Sequence, residues 1–176
     1  MPSPRLSGRL AEDEVWPAGQ PGHEVVHATL AGGERVRVVR CRPPVALAAD
    51  APAVVCVHGW GCSAYAYNRN LRALAERGLD AIAPDVRGHG WSDKPLDASR
   101  YTPEALGRWL VALLDALAVP RAVLVGHSMG GAIAMRAALR APDRVPGLVL
   151  LAPVGFGHIP RTRLLRAVTP AWLDPV

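Results

Sequence analysis

The residues most suited to chemistry are Gly126-His127-Ser128-Met129-Gly130-Gly131, which follow directly on the apolar run Ala122-Val123-Leu124-Val125. An Ala-rich helical stretch comes next, so the serine stands where a strand ends and a helix starts. So sharp a turn leaves no room for side chains beside the serine, and Gly126 and Gly130 supply that space. The helix beginning at Ser128 aims its first amides at the place where an attacked carbonyl gathers negative charge. The chemistry this suggests is nucleophilic attack by a hydroxyl. A serine hydroxyl is a weak nucleophile until a base takes its proton, so the pattern also asks for a histidine and an acid.

Those partners are hard to find in the 48 residues that follow Ser128, where the acids are Asp143 and Asp174 and the histidine is His158. Asp143 precedes the strand expected from Gly147, which puts it at the opposite edge of the sheet. Asp174 has no histidine after it. The position directly after that strand reads Ala152-Pro153-Val154, again without an acid. His158 falls on the correct edge, but nothing in the sequence fixes its distance or orientation to Ser128.

The elements that position the serine follow from hydrophobic period. Glu24–Leu30 and Arg35–Cys41 alternate around Gly32-Gly33 and predict an antiparallel hairpin, stopped by Arg42-Pro43-Pro44. Ala53–Val57 is a fully apolar strand of the kind buried inside parallel sheets. A helix is expected over 64–77, ended by Gly78, and then a strand over 79–84. Thr102 caps a helix with Pro103 in its first turn, whose Leu106, Trp109, Leu110, Leu113, Leu114 and Leu117 keep the helical period. A strand over 121–125, a helix to about Arg140 and a strand over 147–151 complete the order. Such alternation gives an α/β architecture, a mostly parallel sheet with helices on both faces. Ligands of such sheets bind beyond the carboxyl ends of the strands. Three motifs fall there: His58-Gly59-Trp60-Gly61, Asp85-Val86-Arg87-Gly88-His89-Gly90 and the serine turn.

Composition narrows the classes. With 176 residues, half of them apolar, and a mean hydropathy of +0.14, the chain predicts one globular domain. Residues 1–22 form a loose polar lead-in, 23–159 the core domain, and 160–176 the start of a further region. No run of about 18 apolar residues predicts a membrane span, and the N-terminus lacks the pattern of a signal peptide. Cys41, Cys56 and Cys62 form neither a paired framework nor a metal spacing, which fits a reduced, cytoplasmic setting. The net charge of +5 comes from scattered arginines, with Lys94 the single lysine. Its densest cluster, Arg161 to Arg166, reads as one solvated helix face, so nucleic acid is not an expected partner. No cofactor or metal is implied, and the expected partner is a small-molecule substrate.

Together H-G-W-G, D-x-R-G-H-G-x-S-D and G-H-S-M-G-G resemble the α/β-hydrolase superfamily over roughly residues 24–155. The serine branch of that superfamily holds esterases, lipases, carbon–carbon-bond hydrolases and cofactor-free haloperoxidases. The resemblance implies Ser128 as nucleophile on its elbow, with an oxyanion hole made by the backbone amides of Trp60 and Met129. Dehalogenases and epoxide hydrolases of this fold carry aspartate at the nucleophile position, so serine argues against both. It also implies that His58 shapes the oxyanion loop and that His127 packs away from the substrate. Asp85, Arg87 and His89 are expected to tie down their own loop, and Cys56 to be a small core residue. Trp60, Tyr65, Tyr67, Trp91 and Phe156 suggest an apolar pocket mouth, although aromatics near an edge more often pack.

Family topology adds further strands and helices after a cap, and the chain ends where a cap would start. The expectation is therefore a C-terminally truncated hydrolase, impaired by itself. Leu148–Leu151 would be left as an open edge that invites pairing with another chain or a C-terminal fragment. A non-catalytic remnant or binding module on the same fold is the alternative.

Overall fold

Every side chain of the strand Ala53–Val57 is buried, as its unbroken apolar run requires. The structure, a computed structural model, describes residues 22–48 and 50–155. The strands are β1 (His23–Thr29), β2 (Arg35–Cys41), β3 (Ala53–Val57), β4 (Ala81–Pro84), β5 (Ala122–His127) and β6 (Gly147–Leu151). The helices are α1 (Asn68–Ala75), α2 (Pro103–Ala116) and α3 (Met129–Arg140). The sheet runs in the order β1-β2-β4-β3-β5-β6. β4, β3, β5 and β6 pair in parallel, and the β1–β2 hairpin joins antiparallel through β2. The mostly parallel α/β sheet expected from the alternation is present.

The period of two sorts the strands between two cores. Ala53, Val55 and Val57 of β3 join Ile82, Leu124 and the inner faces of α2 and α3, with Trp109, Leu110, Leu113 and Ile133 at the centre. Val54 and Cys56 point the other way, onto Tyr67, Leu71 and Ala75 of the α1 segment. Helices thus cover both faces. Thr102 Oγ1 accepts from Ala105 N at 3.2 Å, the cap expected for α2. α2 and α3 touch closely at Gly107, where an added Cβ would stand 2.6 Å from Arg136 Cβ.

Several boundaries differ from the sequence reading. The helix expected over 64–77 opens with a 3-10 turn, Ala64–Tyr67, before α1 begins. Ser63 accepts from Tyr65 N, and the Asp85 carboxylate takes Ala64 N–H at 2.7 Å, so the first turn winds to suit a neighbouring loop. Beyond α1, Gly78 N donates to Ala75 O and Leu79 N to Leu74 O, a Schellman closure that places 79 and 80 in the turn. β4 is accordingly shorter than expected. A 3-10 turn over Ala98–Tyr101 ahead of α2 was not foreseen.

β6 is the last strand on its side among the described residues, with Leu148, Val149 and Leu151 exposed. No described helix is long and apolar enough to cross a membrane. Residues 1–21 of the expected lead-in, and the readings placed on Phe156, His158, the Arg161–Arg166 cluster and Asp174, lie outside the described residues.

Candidate active site

β5 ends at His127 and α3 starts at Met129, so Ser128 alone makes the turn, with φ 51° and ψ −118°. For a residue with a side chain that region costs roughly 1–3 kcal/mol, and it persists only where its surroundings impose it. They do so here. Ser128 N donates to Leu151 O at 3.0 Å, and Ser128 O accepts from Gly131 N at 3.0 Å and Val154 N at 3.1 Å. The end of β6 therefore grips the turn from outside the motif. The sequence reading missed this role of Leu151–Val154. The sole local hint is Ala152-Pro153, where Ala152 takes φ 43°.

The neighbouring glycines are bare because backbone occupies their Cβ positions. An added Cβ at Gly126 would lie 2.5 Å from Gly130 O, and one at Gly130 only 2.0 Å from Val57 O. Gly131 is equally constrained, 2.6 Å from Pro153 Cβ. These contacts bring the end of β3 under the first turn of α3.

The loop after β3 lies against the serine. A Cβ on Gly59 would sit 3.2 Å from Ser128 Cβ and 3.1 Å from His127 Nδ1. Cys62 N donates to Gly59 O at 3.3 Å, closing a turn with Trp60 and Gly61 at its centre. Gly61 has φ 71°, the left-handed value a type II turn needs there. That turn bond is donated by Cys62, so the Trp60 N–H is not spent on it. Met129, first residue of α3, likewise has no carbonyl one turn back in its helix. The two amides expected as oxyanion donors thus lie on two separate elements, one in the turn that follows Gly59 and one directly after Ser128.

His58 is fully buried and fixes this loop. Its Nδ1 donates to Gly59 O at 2.7 Å, while Nε2 accepts from Val86 N at 2.9 Å. This requires the neutral tautomer protonated at Nδ1. Burial pushes its pKa down to about 4, with the Gly59 carbonyl bond raising it, nearby His89 lowering it and Asp85 raising it. The His89 ring meets it edge-on at 5.3 Å. The folded state thus refuses a proton that the unfolded chain accepts below pH 6.5. Stability is complete above pH 6.5 and falls as pH drops toward 4, by on the order of 3 kcal/mol from this group. Urea midpoints measured across that window should decline more steeply for wild type than for His58→Gln, and equal slopes would show that His58 titrates normally.

Several expected roles shift. Asp85 and Arg87 reach beyond their own loop, Asp85 to Ala64 N and Arg87 to the Glu34 carboxylate through two bonds of 2.8 Å. His89 stays local, its Nδ1 3.1 Å from Arg87 O. His127 was expected to pack, yet it is exposed. Of the aromatics proposed for a pocket mouth, Tyr67 is buried with its hydroxyl donating to Val57 O, and Trp91 lies under the Arg37 guanidinium at 4.9 Å. Trp60 and Tyr65 are the exposed ones. Cys56 is a buried core residue whose thiol is pushed up to about 12 by burial, whereas Cys62 is exposed. Asp143 lies in the turn Pro142–Arg144 that leads into β6, at the edge opposite the serine. Among the described residues no three His, Cys, Asp or Glu side chains converge as metal ligands.

A mostly parallel sheet whose loop-bearing edge carries a strand–serine–helix turn defines an α/β scaffold with its candidate site on one rim. The chain belongs to the α/β hydrolase fold family, whose sequence profile matches residues 52–175. It is 50% identical over 93 residues to an epoxide hydrolase of Caballeronia sordidicola, covering 53% of this chain and 28% of that protein. It is 35% identical over 137 residues to epoxide hydrolase A of Mycobacterium tuberculosis, covering 77% and 41%. A solved bacterial membrane phospholipase A superposes with a TM-score of 0.71 at 26% identity, covering 82% of this chain and 44% of that one. The chain thus spans less than half the length of these relatives.

Proposed function

We propose that this chain carries the nucleophile portion of a serine hydrolase acting on an ester, thioester or activated carbon–carbon bond through an acyl-enzyme. Ser128 Oγ attacks the carbonyl carbon, and the amides of Trp60 and Met129 hold the resulting oxyanion. Collapse of that intermediate expels the leaving group and leaves the acyl group on Ser128. Water then adds to the acyl carbonyl and releases the acid. The observation that carries this reading is Ser128 held at φ 51° against Gly59, at the head of α3. Preorganised amides in such a place are worth roughly 3–4 kcal/mol each to an acyl-transfer transition state. The histidine and acid come from sequence of the kind that makes the relatives more than twice as long. The exposed β6 edge is where such a segment, or a separate chain that supplies it, would pair. The substrate is a small molecule.

The names of two relatives favour a second reading, epoxide opening. Chemistry separates the two. A carboxylate that opens an epoxide gives an ester, which water can cleave at its carbonyl. A serine oxygen gives an ether, which has no carbonyl and would stall the enzyme after one turnover. Ser128 therefore fits carbonyl substrates.

A fluorophosphonate probe should label the protein at Ser128, and Ser128→Ala should abolish the labelling. Because activation depends on a base, the probe is applied both to this chain and to any longer product of the same gene. No labelling of either would reject the hydrolase and favour a binding module on the same fold. Repeated turnover of an epoxide to its diol, lost in Ser128→Ala, would instead revive the second reading.

A further inference from the structure

We propose that Asp85, far from Ser128 in sequence and outside the serine turn, is a positioning residue that, together with the adjacent Val86 amide, fixes the Gly59–Trp60 peptide by clamping the two ends of the loop that carries it. The proposal rests on the reading of Trp60 N–H as an oxyanion donor and adds to it what holds that donor in place.

The clamp is built from adjacent residues, Asp85 and Val86. At the far end of the loop, Asp85 Oδ1 accepts from Ala64 N at 2.7 Å. At the near end, Val86 N donates to His58 Nε2 at 2.9 Å, and His58 Nδ1 donates to Gly59 O at 2.7 Å. The Gly59 carbonyl and the Trp60 N–H belong to one planar trans peptide and point in opposite directions. Fixing the carbonyl on His58 and Cys62 therefore aims the Trp60 N–H to the other side.

The clamp is itself anchored. Asp85 is fully buried, and its Oδ2 accepts from Trp91 N at 2.9 Å with the Arg37 guanidinium at 3.5 Å. Its backbone is fixed too: Asp85 N donates to Arg37 O at 2.8 Å, and Asp85 O accepts from Ser92 Oγ at 2.6 Å. Ser92 Oγ in turn accepts from Arg37 N at 2.9 Å. A charged side chain is buried here at considerable cost, and its bonds tie β2, the loop after β4 and the loop after β3 into one unit. Loss of the charge would loosen the donor without touching Ser128.

The test is Asp85→Asn, whose amide keeps one acceptor but turns an NH2 toward Trp91 N–H and Arg37. Hydrogen exchange at residues 60–64 should accelerate by roughly tenfold or more, with the amides of β3 and β5 unchanged. The maximal rate of Ser128 phosphonylation should fall by roughly tenfold to a hundredfold at an unchanged half-saturating probe concentration. A folded variant with unaltered loop exchange overturns the clamp. Faster loop exchange with an unaltered phosphonylation rate overturns its positioning role. Failure of both the wild-type chain and any longer product of its gene to react with the probe instead rejects Ser128 as nucleophile, and the exchange measurement still decides whether Asp85 holds the loop. If Asp85→Asn does not fold, the wild type answers directly: Ala64 N–H must exchange as slowly as the β3 amides, and exchange at the rate of an open loop overturns the proposal.

Discussion

Gly130→Ala should cost the protein about 3 kcal/mol or more and leave little of it folded under native conditions. The new methyl carbon would lie 2.0 Å from Val57 O and 2.6 Å from His58 O, distances at which real atoms do not coexist. Both obstacles are backbone. A flexible side chain could swing aside, but these carbonyls end β3 and begin the loop beside Ser128. Relief would require lifting the first turn of α3 off the sheet, which breaks the contact of Gly59 with Ser128. Gly32→Ala is the control, because nothing stands within 4 Å of its Cβ position. Denaturant unfolding followed by circular dichroism should show a shift of less than about 1 kcal/mol for the control. A Gly130→Ala midpoint equal to wild type would refute the close approach of β3 and α3.

The second large effect is expected far from the serine. Glu34, just before β2, is almost fully buried, and so is its partner Arg87 from the loop after β4. Arg87 also donates to Arg100 O at 2.7 Å, and the half-exposed Arg100 guanidinium completes the clasp on Glu34. Glu34→Ala leaves the Arg87 guanidinium buried without its carboxylate, a loss worth about 3–5 kcal/mol. Removing both charges at once, as Glu34→Met with Arg87→Met, should cost clearly less than the single change. That inversion distinguishes a stranded charge from lost packing, and a double variant no more stable than Glu34→Ala would contradict it. Glu34 and Arg100 border an open depression of about 350 Å3 between the hairpin tip and residues 93–95, which shares no residue with the serine turn.

What the sequence made legible was local. The apolar run of β3 has one reading, a strand buried on both faces, and it is one. Thr102-Pro103 announces a helix start through a cap and a fixed φ, and α2 begins there. The glycines at 126 and 130 follow from the need for space, although which atoms fill that space is a matter of tertiary structure. The misreadings lie where a distant group decides. The turn at Ala64–Tyr67 is 3-10 because a carboxylate 21 residues on captures its first amide. Tyr67 and Trp91 resemble pocket aromatics in sequence, but a carbonyl of β3 and a guanidinium of β2 claim them. His127 was expected to pack, and nothing in its neighbours' types revealed that it would be exposed. The hold of Leu151–Val154 on Ser128 was equally hidden, since it needs the register of β5 against β6.

One consequence concerns how such a rim can change over generations. The loop from Gly59 to Ser63 is tethered at its two ends by backbone and by His58 and Asp85, and its exposed Trp60 side chain takes no part in either tether. Cys62 contributes its amide alone, and Tyr65 projects to solvent from the turn that follows. Backbone geometry and side-chain identity are therefore separable at this rim. Under the proposed function, selection can exchange the groups that would meet a new substrate while the scaffold that presents the amides stays as it is.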